Sequence, residues 1–397
     1  LLNHDGEQLP LITESGEQDL APIYDRIYPI TKSRQEIVFH NIDSKPIPSL
    51  LRNFSAPVKL EYLYTQEELY FLMVHDTDGF NRWNAGQSLA SQVITSLQSG
   101  ESDEIDKASA VISKAFKLIL NDSLNKKEVD KAMLAHILEL PTEGALIEQA
   151  QLAVVDDIHI ARESVANFLS TDLKADFAEV FNSNFSEGIF SIESEDMARR
   201  ALKNISLNYL VRSGDSHWIE KCFHQFTQAD NMTDQLAALR FLMIYSEKHC
   251  REEADQALHM FYDQWKHEPL VVDQWFVTQA LYPGKESLER VKALCNHQAF
   301  DIKNPNKVRS LIGVFSSQNH VQFHQGGGEG YEFLADSIIQ LDQINPQIAA
   351  RMMTPLTRWK KFDHKRQALM QAQLQRIKET PNLSKDVFEV AEKSTVL

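Results

Sequence analysis

From Thr65 onward, apolar residues recur at three- and four-residue spacing in one segment after another, with breaks of only a few residues between them. A chain patterned this way must bury one stripe of each helix against its neighbours, so successive helices pack as antiparallel pairs. The spacing predicts helices over about 80–99, 103–121, 126–139, 143–154, 157–185, 194–213, 216–229, 233–249, 251–267, 270–282 and 285–297, then near 364–379 and 384–394. Gly100, Pro141, Gly214, Pro269 and Pro283-Gly284 supply the breaks. Many such pairs in series make a superhelical array, and the absence of a fixed sequence period makes it an irregular one. The expected fold class is therefore mainly α. Thr65-Gln66-Glu67-Glu68 opens the array as a capping box, in which the threonine hydroxyl accepts from the N3 amide and Glu68 reaches back.

Before Thr65 the period is two. Asp5-Gly6 lies between Leu1-Leu2 and Leu9-Pro10-Leu11-Ile12 as a hairpin turn, since glycine supplies the positive φ that such a turn requires. Gln35 to Ile42 offers a second β run, and Val58, Leu60, Tyr62 and Tyr64 alternate with Lys59, Glu61 and Leu63 as a third, with Pro57 at its entrance. Roughly four strands are too few for a sandwich of about seven. Residues 1–64 are thus expected to be the C-terminal part of a β-sandwich domain that begins upstream of Leu1, and residues 65–397 the helical array.

Charge and composition narrow the function classes. With 40 basic and 56 acidic residues the net charge is 40 − 56 = −16, which argues against a nucleic-acid partner, because phosphate binding needs a basic stripe. The largest basic cluster, Arg358-Trp359-Lys360-Lys361 with Lys365 and Arg366, reads as a solvated helix terminus. No apolar run approaches the roughly 20 residues of a membrane span, and no signal peptide is expected. Cys222, Cys250 and Cys295 are odd in number and far apart, so a disulfide framework is not expected and a reducing cytoplasm is the simplest compartment.

The stretch from Asn304 to Trp359 holds most of the backbone punctuation of the C-terminal half. Pro305 and Pro346 suit first helical turns, and Gly326 to Gly330 force a break before Tyr331, because each glycine costs about 1 kcal/mol inside a helix. Arg309 and Arg351 each lie within about two turns of a helix start, where a side chain can project into a cleft, although chemistry alone favours capping or bridging of neighbouring helices. Asp263-Gln264-Trp265 and Asp273-Gln274-Trp275 repeat across Pro269 as helix-contact anchors rather than a ligand platform, and Phe241, Leu242, Met243, Met260 and Phe261 read as core.

Asn304-Pro305-Asn306-x-x-Arg309-Ser310-Leu311-Ile312-Gly313, Gly330-Tyr331-x-Phe333-Leu334 and Asn345-Pro346-Gln347-x-Ala349-x-Arg351 resemble the C-terminal helical domain of bacterial aminopeptidase N, a gluzincin zinc aminopeptidase. Phe54-Ser55-Ala56-Pro57-Val58-Lys59-Leu60 and Arg82-Trp83-Asn84-Ala85-Gly86-Gln87-Ser88-Leu89 are similar to the end of that family's small β-sandwich and its first helical segment, and Asn231-Met232-Thr233-Asp234 to a helix-opening motif of the same domain. The resemblance spans essentially the whole chain. It implies a parent enzyme that uses zinc to remove single residues from peptide N-termini, with the helical domain closing over the active site and limiting peptide access. It also implies that Arg309 and Arg351, with Gln347 one turn before the latter, bind the peptide substrate beyond the scissile bond.

The family's catalytic motifs are absent. His-Glu-x-x-His would place two zinc ligands and a general base on one helix face, and it does not occur. His320-Val321-Gln322-Phe323-His324 has the histidine spacing but puts Val321 where the base belongs, in a context that suggests a helix end and a loop. Gly-Ala-Met-Glu-Asn, Gly-x-Ser-x-Gly and a phosphate-cradling loop are missing too. No catalytic or metal residue is therefore expected in this chain, and alone it is expected to be inactive; its partners would be the N-terminal and catalytic domains of the same polypeptide. The competing reading is a stand-alone helical scaffold that binds a protein partner on its concave face.

Overall fold

The Thr65 capping box forms. The Glu68 amide donates to Thr65 Oγ1 at 3.2 Å, and the Thr65 amide donates to the Glu68 carboxylate at 3.1 Å. The computed structural model describes residues 1–13, 21–98, 105–186 and 190–395. Its helices divide into two compact units, the first comprising residues 1–141, 182–185 and 192–205, the second 142–181, 186–191 and 206–397.

In the first unit the helix Gln66–His75 packs on Gly79–Leu97 and Ile105–Asn125, and Gly79–Leu97 also packs on Lys131–Ile137. The apolar stripe dictates this: Leu72, Met73, Leu89, Val93, Ile94, Phe116 and Leu120 are all but removed from solvent, each adding roughly 1.5–3 kcal/mol. Asp78 starts the second helix by accepting from the Asn81 amide at 2.8 Å. The expected break at Gly100 and the first two residues of 103–121 lie outside the described residues.

The β runs are where sequence and structure differ in detail. Asp5-Gly6 does turn the chain: Gly6 has φ of 86°, Asn3 Oδ1 accepts from the Asp5 and Glu7 amides, and Leu2 bridges antiparallel to Gln8 and to Ile47. Beyond those bridges the described residues of the segment 1–63 carry few interpretable strands. Gln35 to Ile42 is irregular apart from contacts such as the His40 amide to the Ile12 carbonyl at 2.8 Å, and Val58 to Tyr64 has no ladder partner among the described residues. Val58 is 60% exposed and Leu63 98%, because no second strand of the described chain lies beside them. Arg52 ties this segment to the helices, donating to Asp76 at 2.6 Å, Thr77 Oγ1 at 2.8 Å and Asp25 at 3.0 Å.

In the second unit each helix packs on the next: Ser216–Gln228, Met232–Tyr245, Arg251–Trp265, Pro269–Ala280 and Ser287–Leu294. Pro269, Pro305 and Pro346 each take the first position of a helix, where a missing N–H costs nothing. The tryptophan pair anchors helix contacts: Trp265 Nε1 donates to Gln235 at 2.9 Å, and Trp275 Nε1 to the Leu258 carbonyl at 3.1 Å. Of the stripe read as core, Leu242, Met243 and Phe261 are buried and Phe241 is half-buried, but Met260 is 41% exposed. The segment 157–185 is two helices, Val155–Asp172 and Lys174–Asn184, broken at Leu173.

The stretch after Asn304 is more finely divided than its pattern suggests. The helix Pro305–Val308 continues as a π-helical turn, Arg309–Gly313, then Val314–Gln318 and His320–Phe323. The next helix, Glu329–Asp342, already includes Gly330, so the glycine-rich break is complete by Gly328, which has φ of 86°. Arg366, read from sequence as part of a solvated terminus, is instead 7% exposed: it donates to Asp363 at 2.8 Å, to Asp156 at 2.6 Å and to the His324 carbonyl at 2.8 Å. Trp359, from the same basic cluster, is buried too, and its Nε1 donates to the Ser394 carbonyl at 2.9 Å. With the Ala153 amide bonded to the Lys361 carbonyl at 2.7 Å, these contacts hold the beginning of this unit against its last quarter.

Candidate functional site

Where those two ends of the second unit meet, a cavity of about 400 Å³ opens between the helix Glu143–Gln149, the segment 309–324 and the segment 351–362. Arg309 and Arg351 both line it, 42 positions apart in sequence (351 − 309) but on one wall system. Gln347 does not: it lies with Arg351, Asp386, Glu389 and Lys393 on a separate recess of about 470 Å³. Arg351 is thus common to both openings.

Neither arginine bridges helices. Arg309 is exposed, and its guanidinium bonds back onto the first turn of its own helix, to the Pro305 carbonyl at 3.2 Å and Asn306 Oδ1 at 2.6 Å. Arg351 is exposed, and its guanidinium has no hydrogen bond or ion pair among the described residues. An arginine so placed keeps all five donors for something else.

Three further groups reach the cavity that the sequence reading did not assign to it. Arg358, taken for surface, lines it and pairs with Glu148. His320 and His324 line it with ring planes 13° apart and centroids separated by 6.1 Å. His324 is 3% exposed, its Nδ1 is 2.8 Å from the Tyr331 hydroxyl, and its ring lies on Phe362 at 4.2 Å. Burial, then the neighbouring His320 and Arg366, hold it neutral, well below the usual imidazole range. His320 is less enclosed; burial lowers its pKa and Glu143 opposes the shift, while its Nδ1 is buried without a hydrogen bond among the described residues. Spacing of i and i+4 was the one available signal for this pair.

A metal does not fit here. Among the described residues no three His, Cys, Asp or Glu side chains are grouped to hold an ion, and the paired histidine nitrogen of His324 is already spent on Tyr331. Thiol chemistry fares no better: burial pushes Cys250 up to about 12 and Cys295 up to about 11. Among the described residues no helix is long and apolar enough to cross a membrane.

Comparison with known proteins gives the family of the chain. Residues 66–396 match a family described as a domain of unknown function (DUF3458_C) of ARM repeats, and residues 1–63 match one described as a domain of unknown function (DUF3458) with an Ig-like fold. The chain is 36% identical over 393 residues to aminopeptidase N of Escherichia coli, covering 98% of this chain and 43% of that one. It is 38% identical over 370 residues to aminopeptidase N of Haemophilus influenzae, covering 92% of this chain and 41% of the relative. Among solved structures, Legionella pneumophila aminopeptidase A in complex with aspartic acid superposes with a TM-score of 0.80 at 36% identity, over 90% of this chain and 41% of that one. The chain therefore spans about two fifths of the length of these relatives. It belongs to the DUF3458_C family of ARM-repeat domains and is homologous, together with its Ig-like N-terminal segment, to the C-terminal region of aminopeptidase N.

Proposed function

We propose that this chain is the non-catalytic C-terminal region of a zinc aminopeptidase, closing over the active site and holding the peptide beyond the scissile bond. Residues 1–64 are read as the β-sandwich part and 65–397 as the helical part; zinc and the hydrolytic groups would belong to the domains with which this region associates. The observation that supports the reading is that Arg309 and Arg351 line one cavity and that the Arg351 guanidinium is uncommitted. Such a group forms charge-assisted hydrogen bonds with peptide carbonyls or a carboxylate. The scaffold reading draws on the helical array alone and gives no role to these two side chains.

The test uses the whole-length enzyme. A charged hydrogen bond is worth roughly 1.5–3 kcal/mol, so Arg351→Ala should lower kcat/KM for peptides by about 10- to 150-fold. Small aminoacyl reporters, which offer nothing beyond the scissile bond, should change only a few-fold. Arg309→Ala should follow the same pattern more weakly, because its guanidinium is already bonded to its own helix. Equal effects on peptides and reporters would sink the proposal.

A further inference from the structure

His324 is a buried base on the seam where the two ends of the second unit meet. Its ring is 3% exposed, rests on Phe362 with centroids 4.2 Å apart, and faces the Tyr331 hydroxyl through Nδ1 at 2.8 Å. Its backbone carbonyl accepts from Arg366 Nε at 2.8 Å, while the other two nitrogens of that guanidinium bond Asp156 and Asp363. Phe362 in turn makes the parallel bridge to Ala153, whose amide lies 2.7 Å from the Lys361 carbonyl. His324 therefore packs on one residue that closes the seam and hydrogen-bonds another.

The charges around this ring have one sign. His320 comes from its own segment, Arg366 from the helix His364–Lys378, and Arg351 and Arg358 from the far side of the cavity. From the helix Glu329–Asp342 the facing group is the uncharged Tyr331 hydroxyl. The acids of the neighbouring helices are engaged elsewhere: Asp156 and Asp363 with Arg366, Glu148 with Arg358, Glu143 with His159. Burial, then His320 and Arg366, all favour the neutral imidazole. We propose that His324 is an acid-sensitive latch: while neutral it lets the two ends of the second unit close, and on taking up a proton it pushes Arg366 and Phe362 away and opens the cavity wall. The helices survive the opening, because Leu169 and Leu374, more than two turns beyond Asp156 and Arg366, are fully buried.

The closed seam holds His324 neutral, and the open one returns it to the ordinary imidazole pKa of about 6.5. The closed form thus binds fewer protons, and its advantage shrinks as pH falls below about 6.5, by at most tenfold per unit. Other groups at the seam do not imitate this. Burial pushes Asp363 up, but its bonds to Arg366 override that and hold it below the usual carboxylate range. His159 gains its proton through its bond to Glu143, so acid strengthens that contact.

Amide exchange of the 397-residue chain reads the latch at Ala153, whose amide is bonded across the seam. With the intrinsic rate divided out, its protection should fall about tenfold between pH 7.5 and 5.5, while amides of the helix Met232–Tyr245 keep theirs. His324→Asn stays neutral throughout and can still bond the Tyr331 hydroxyl; its Ala153 protection should be lower but flat with pH. His320→Gln should keep the slope. If His324→Asn does not fold, carbon shifts of the His324 ring in the unaltered chain decide: the ring should remain neutral at pH 5.5. The proposal is overturned by protection that is flat with pH in the unaltered chain, by a slope that survives His324→Asn or vanishes with His320→Gln, or by parallel loss in Met232–Tyr245. A ring that titrates at about 6.5 with Ala153 still protected also overturns it.

Discussion

Lys307 Nζ lies 2.7 Å from the Asp273 carboxylate and donates to the Pro269 carbonyl at 2.8 Å, so the short helix that delivers Arg309 is pinned to the helix Pro269–Ala280 by an enclosed charge pair. Both side chains are nearly buried, and breaking such a pair from one side leaves an uncompensated charge. Asp273→Ala should therefore cost about 3–5 kcal/mol, read as a lower denaturation midpoint, whereas Asp273→Leu with Lys307→Met should recover most of the loss. A double variant as unstable as the single one would show that the pair does more than neutralise itself.

The glycine-rich break should respond to alanine in a graded way. At Gly330 a Cβ would sit 2.3 Å from the Phe323 carbonyl oxygen, a backbone atom with no rotamer to escape into, so Gly330→Ala is expected to cost about 1–3 kcal/mol. Gly328, with φ of 86°, should cost roughly 1 kcal/mol. Gly326 meets only the end of Lys365 at 3.3 Å, and Gly326→Ala should be neutral or stabilising by about 0.4–1 kcal/mol. Thermal melts of the three variants check the order.

Two groups four residues apart on the helix Val155–Asp172 oppose each other in pH. Burial pushes Glu163 up, but the Arg212 fork, at 2.8 and 3.1 Å, overrides it and holds the carboxyl at about 2. This stabilisation, about 2–3 kcal/mol, is present above the unfolded carboxylate pKa near 4.3 and is lost as pH falls toward 2. His159 is raised chiefly by its bond to Glu143, so its contribution is full below about 6.5 and fades as pH climbs through its folded value. Denaturation midpoints across pH should show Glu163→Gln flattening the acid limb and His159→Gln the neutral one.

Amide hydrogen exchange should be fast across residues 21–63 and slow in the helices. That segment holds few backbone ladder bonds and leaves Ile27, Ile30, Val58 and Leu63 exposed. The uncovered apolar surface should also promote association as concentration rises. Protection there equal to that of Gly79–Leu97 in a dilute monomer contradicts this.

What was legible in the sequence is what is decided locally. Thr65 with Glu68, Asn231, Asn304 and Asn345 cap helices because the accepting oxygen and donating amide are two or three residues apart, and the three first-turn prolines act through their own φ. Alternation at Val58, Leu60, Tyr62 and Tyr64 agrees with the Ig-like family match but forms no ladder among the described residues, because a period of two becomes a ladder only when a partner strand lies alongside. The cavity was legible only in its two motif arginines. Arg358 and the His320–His324 pair joined it through packing across some two hundred positions, and Arg366 looked solvated because the second of its two acids, Asp156, is 210 residues away.

That last separation bears on how the chain folds. The contacts of Arg366 with Asp156 and of Ala153 with Lys361 close a loop through nearly the whole second unit, and closure entropy grows with loop length. Neighbouring helix pairs can form early from contacts a few tens of residues apart, whereas this seam cannot exist until the intervening helices have stacked. The cavity is consequently among the last features to appear, and ligand occupancy there would report on completed folding while helix content reports only on its beginning.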